Sequence, residues 1–182
     1  MRFWKGILMA VALVTFATTA WAQPTQPAIG VFFDDQASSI WADFPGGVTQ
    51  FHTAYVFAVN LDQMVGGMAF KLDMDPAIHV MGSEYPEAVN MGEPKDGVGI
   101  GFQDCKSAYD GEPVLGCVMT LWTGNSLLAN AEIRVVAHPG ESGIMISDCD
   151  GNLTPVSGLT SFLSVTVDNE STSWGAVKTL YK

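Results

Sequence analysis

Asp148-Cys149-Asp150-Gly151-Asn152 is the stretch of this chain that comes nearest to a metal-binding loop. It places oxygen donors at its first, third and fifth positions, as a hard cation such as Ca2+ requires. An EF-hand loop also needs glycine at its sixth position and glutamate at its twelfth. Leu153 and Leu159 stand there instead. A plain Asp/Asn turn is therefore the expected structure, with Asp148, Asp150 and Asn152 as the candidate ligands should Ca2+ bind. No other cofactor is implied.

Acid–base and nucleophilic chemistry is harder to assemble. Asp34-Asp35 and Asp73-x-Asp75 are paired carboxylates, and glycoside hydrolysis needs two carboxyls roughly 5 to 10 Å apart. Neighbours on a strand point to opposite faces, so Asp34 and Asp35 cannot share a site on a strand. Asp75-Pro76 reads as a strand-ending turn. His52, His79 and His138 are far apart, with no H-E-x-x-H or H-x-H pairing. Gly140-Glu141-Ser142-Gly143 falls one residue short of the G-x-S-x-G elbow and reads as a tight turn. No nucleophile, metal set or acid–base pair stands out, and the chain is expected to bind rather than catalyse. The aromatic residues Trp41 and Phe44, in SSIWADFPGG, and the loop residues Tyr85 and Tyr109 are the candidate binding residues. Such rings stack on sugar faces or anchor protein interfaces. Trp122, in the middle of an apolar run, is assigned to the core.

The elements that would position these residues are strands. Gly67–Asp73 alternates, with Met68, Phe70 and Leu72 on one side and Ala69 and Lys71 on the other, the period-two mark of a strand with one buried face. In Ala131–His138, Ile133 and Val135 oppose Glu132 and Arg134. Val98–Phe102 alternates large apolar residues with glycine. Ala28–Phe33, His52–Asn60, Cys117–Thr123, Ile144–Ser147 and Phe162–Val167 complete the set. Breakers such as Asp75-Pro76, Lys95-Asp96-Gly97, Asp110-Gly111 and His138-Pro139-Gly140 separate them. Eight or nine short strands at such spacing predict an all-β, antiparallel β-sandwich over residues 23–168. In the tail, 169–182, Trp174, Val177 and Tyr181 share a helical face, and a short helix or an extended tail is expected.

Residues 1–22 read as a signal peptide. Arg2 and Lys5 precede an uncharged run, Ile7–Ala20, and Ala20-Trp21-Ala22 supplies the small residues of a cleavage site. That run is too short to span a membrane, which needs roughly 20 apolar residues. The expected location is therefore secreted, periplasmic or cell-surface, with no membrane span after cleavage. Of 8 basic and 19 acidic residues, the leader holds two basic ones and no acid. The remaining acidic surface repels phosphate backbones, so nucleic acid is excluded as a partner. An oxidising compartment turns three cysteines into one disulfide and one thiol. Cys105 and Cys117 flank a polar loop and are the favoured pair, with Cys149 as the alternative partner of either.

At GGMAFKLDMDPAIHVMG, Gly66–Gly82, the chain resembles the cohesin-like and cellulose-binding-module-like sandwiches of secreted bacterial proteins. In that pattern a strand carrying G-x-x-F-x-L-x-x-D-P is followed by a short strand after the proline. The glycine-rich strand near Val98 and the apolar run at Cys117 fall where the pattern puts them. The resemblance implies a cohesin-like or immunoglobulin-like sandwich. Cohesins bind a calcium-loaded dockerin, and the related modules bind polysaccharide. The expected function is accordingly a non-catalytic recognition module for an extracellular or envelope protein, with polysaccharide binding or a structural scaffold role as alternatives and a secreted hydrolase after them.

Overall fold

The computed structural model describes residues 25–45, 50–123 and 130–166. The expected leader and the expected C-terminal helix lie outside them. The described residues form twelve strands: β1 (Ala28–Phe32), β2 (Trp41–Pro45), β3 (Gln50–Val59), β4 (Met64–Met74), β5 (Ile78–Glu84), β6 (Ala88–Glu93), β7 (Gly97–Ser107), β8 (Val114–Thr123), β9 (Ala131–Val136), β10 (Ile144–Ser147), β11 (Leu153–Gly158) and β12 (Thr160–Thr166). A single 3-10 turn, Tyr109–Gly111, is the only helical piece among the described residues.

The strands form two layers. One runs β1-β3-β8-β5. The other runs β6-β7-β4, with β10 beside the first half of β4 and β9 beside its second half. β12 and β2 continue beyond β9, and β11 links β10 to β1. The pairing is antiparallel except at β1–β11 and β2–β12, which are parallel. Both parallel pairs join an early strand to a late one, where no hairpin imposes the antiparallel sense.

Inward residues of both layers meet in one core. Ile29, Val31, Val56, Met119 and Leu121 come from the first layer, and Phe70, Leu72, Val98, Ile133 and Ile146 from the second. The alternation read along β4 holds, since Met68, Phe70 and Leu72 are buried and Asp73 is exposed.

The cysteines correct one expectation. Cys105 is bonded to Cys149, with the Cα atoms 5.9 Å apart, and Cys117 is free. Cys117 shares the inward phase of β8 with Met119 and Leu121, so its sulfur points into the core. Cys105 lies toward the end of β7, in the other layer, where the turn after β10 reaches it. Burial pushes the Cys117 thiol up from 9.0 to about 12, with the Glu93 charge adding to the shift. The folded core accepts only the neutral thiol, so stability that is full below pH 9 is lost as pH rises from 9 toward 12. Urea midpoints measured at pH 8.5, 9.5 and 10.5 should show a loss of about 1 kcal/mol per pH unit. Cys117→Ala should flatten that slope. Equal slopes in both proteins would contradict the burial of the thiol.

Candidate functional site

The outer face of the second layer carries the feature that the fold does not need for its own packing. In β7, Val98 and Ile100 point inward, so Gly99 and Gly101 point outward. The strand register sets two rows across this face. Met91 lies opposite Gly99, Gly99 opposite Ala69, Ala69 opposite Met145, and Met145 opposite Pro155. In the second row Val89 lies opposite Gly101, Gly101 opposite Gly67, Gly67 opposite Ser147, and Ser147 opposite Leu153. Small residues occupy the middle of each row and larger apolar ones the sides. The result is an open groove of about 440 Å³, floored by glycine and alanine, with His138 and Glu141 at its polar margin. Met91, Val89 and Leu153 are 76, 64 and 55% exposed.

The glycines of this sheet divide into two kinds. A Cβ on Gly67 would sit 2.5 Å from the Ile100 carbonyl oxygen, so the fold requires glycine there. A Cβ on Gly99 or Gly101 would meet its nearest neighbour only at 4.0 Å. Neither has a left-handed backbone. Glycine in a strand interior costs roughly 0.5–1 kcal/mol relative to alanine. At these two positions it relieves no clash, and what it provides is the depth of the groove. An exposed apolar groove with flexible methionine on its wall is the chemistry of a protein-binding surface.

The sequence-derived candidates fall elsewhere. Trp41 lies on the edge strand β2, tilted against Phe162 at 5.3 Å, and its indole N–H donates to Asp43 Oδ1 at 2.9 Å. Phe44 is in the same strand, and its side chain is outside the described set. Tyr85 is half-buried against the core in the β5–β6 turn, where burial pushes its phenol up to about 12. Tyr109 is exposed in the 3-10 turn. These four sit on separate elements apart from the Trp41–Phe44 strand, and no strand pairing joins them. Trp122, expected in the core, is on the outer face of β8 against His79.

The carboxylates of Asp34, Asp73, Asp75 and Asp148 already have local donors. Asp148 Oδ1 accepts the backbone N–H groups of Asp150 and Asn152 at 2.9 and 2.8 Å, and Oδ2 accepts the Asn152 amide at 2.8 Å. These bonds, that of the Asn152 side chain foremost, hold the Asp148 carboxyl below its usual range. The loop is an Asx turn closed on itself. Among the described residues no cluster of three or more His, Cys, Asp or Glu forms a metal site. Asp34 accepts the N–H groups of Gln36, Ser38 and Ser39. Asp73 pairs with Arg134 at 2.7 Å, and Asp75 accepts the Ala77 N–H. His52 is buried against Thr123, while His138 accepts the Gly140 N–H.

Comparison of the whole fold with known structures decides its type. The chain is similar to CaCohA2 from Clostridium acetobutylicum in solution, with a TM-score of 0.51 and 10% identity over 81% of this chain and 96% of that one. A crystal structure of CaCohA2 in complex with a variant of CaDoc0917 matches with a TM-score of 0.50 and 12% identity, over 77% and 99%. The cohesin module of a Clostridium perfringens family 33 glycoside hydrolase gives 0.50 and 10%, over 79% and 100%. The chain has a cohesin-like fold. No protein-family model matches it, and no curated protein matches it in sequence. At such identities the likeness establishes the cohesin-like sandwich and transfers no residue.

Proposed function

We infer that this chain is a non-catalytic recognition module outside the cytoplasm, and that a protein partner docks in the groove of the β6-β7-β4-β10-β11 sheet. The observation that carries this reading is the pair Gly99 and Gly101, glycines that no contact of the fold demands and that open an apolar groove on the outer face of a strand whose inward positions hold Val98 and Ile100. A protein interface draws most of its energy from a few apolar anchors seated in such a depression. The partner that fits is an exported or envelope protein offering an apolar ridge. The cohesin-like fold supports the reading, because one of the similar structures is itself a two-protein complex. The signal-peptide pattern of residues 1–22 supports the location.

The test is affinity capture from the envelope fraction of the producing cell, using wild type beside Val89→Lys/Met91→Lys. Both side chains are exposed, so the variant should fold as wild type does. A protein held by wild type and lost by the variant is the expected result. Retention by both would place the binding surface elsewhere.

A further inference from the structure

Among the described residues, the outer face of the first layer is covered at one end and left uncovered at the other. Ala28, Phe32, Phe57 and Val59 are buried beneath Ala37, Ile40 and Leu159, so the chain closes that end itself. At the opposite end Phe51 pairs with Trp122, and Trp122 pairs with His79, across three adjacent strands. Their inward neighbours His52, Leu121 and Ile78 are buried, which puts all three rings on the outside. Phe51 is 65% exposed, and the His79 ring lies 5.1 Å from that of Trp122 at 39°. The next row is Thr53, Thr120 and Gly82. Neither row contains a carboxylate or an ammonium group. Beyond the edge strand β5 the row opens onto a polar groove of about 430 Å³, lined by His79, Ser83, Glu93, Lys95 and Asp96 among others.

We propose that this strip binds a neutral polysaccharide. Three strands at about 4.8 Å spacing make a ring row roughly 10 Å long. A stable protein interface buries about 800 Å² on each side, far more than this row offers. A sugar chain has the matching shape and chemistry: flat C–H faces for the rings, and hydroxyl edges for the Thr53 and Thr120 hydroxyls and the polar groups of the groove. The groove's charged groups, Glu93 and Asp96 with Lys95 between them, can hydrogen-bond sugar hydroxyls, and their net negative charge disfavours an anionic glycan. The strip is on the opposite layer from the methionine-walled groove, so the two sites act independently.

Affinity electrophoresis of the whole chain through gels containing soluble xylan, glucomannan or mixed-linkage β-glucan tests this, with polygalacturonate as the anionic arm. At least one neutral gel should retard wild type. Phe51→Ala/His79→Ala, with both rings on the outer face, should bind about tenfold more weakly, a difference of about 1.4 kcal/mol. Val89→Lys/Met91→Lys, which carries two added positive charges, should be retarded to the same degree as wild type, each measured against its own mobility in a ligand-free gel. Absence of retardation in every neutral gel, retardation by polygalacturonate alone, or equal retardation of wild type and the Phe51/His79 variant would each overturn the proposal.

Discussion

Gly99→Leu/Gly101→Leu is expected to weaken partner binding at least about 100-fold, or about 2.8 kcal/mol, with the fold intact. The added Cβ atoms meet only ordinary contacts at 4.0 Å, so the side chains project outward into the groove and fill the space an incoming anchor would take. Strand propensity favours leucine over glycine, and the thermal midpoint should hold or rise. Gly99→Ala/Gly101→Ala, which fills less of the groove, should give a smaller loss. Titration of the captured partner by calorimetry, run beside thermal melts, separates the two effects. Unchanged affinity in the leucine variant would remove the groove from the binding surface.

Phe70→Ala should cost about 3–5 kcal/mol of folding stability, the range for deleting a fully buried aromatic ring. Phe70 has no exposed surface and lies on the inward face of β4, at the meeting of both layers. A domain of this size has about 5–15 kcal/mol in total, so the loss takes a large share. Phe51→Ala removes the same ring from a site that is 65% exposed and should cost no more than about 0.5 kcal/mol. Urea unfolding of the two variants compares the core with the surface strip directly. Similar costs would show that one ring is wrongly placed.

The inward half of the fold was legible in the sequence, and the outward half was not. Met68-Ala69-Phe70-Lys71-Leu72 and Ala131-Glu132-Ile133-Arg134-Val135 state their buried faces by alternation alone, because burial in one layer imposes period two. β6 and β11, AVNMGE and LTPVSG, escaped notice because glycine, proline and asparagine dilute their strand character, and their best apolar residues, Val89, Met91 and Leu153, face outward. The alternation of glycine with valine and isoleucine along β7 was visible. Its meaning was not, since the groove exists only once the register sets Met91 and Val89 on one side and Met145 and Leu153 on the other. Those residues are brought together by strand pairing, not by proximity along the chain.

The placement of the aromatic candidates was hard to read for a related reason. Trp41 lies in a polar, glycine-bounded stretch that reads as a loop, yet it pairs in parallel with Phe162, and no local pattern announces a parallel partner more than a hundred residues away. Phe51 and Trp122 border or sit within apolar runs that suggest core, while their phase puts them outside. The disulfide shows the same limit. Cys105 and Cys117 are near in sequence but stand in opposite layers, and the turn carrying Cys149 comes to Cys105 through the pairing of β10 with β4.

The central claim is that a protein docks on the Met91 side of the sandwich. A photo-crosslinking amino acid placed at Met91, and separately at Thr53 on the opposite layer, tests this in the producing cell. Irradiation should give a discrete protein adduct from position 91 and none from position 53. Adducts from position 53 alone, or from neither position, would contradict the account.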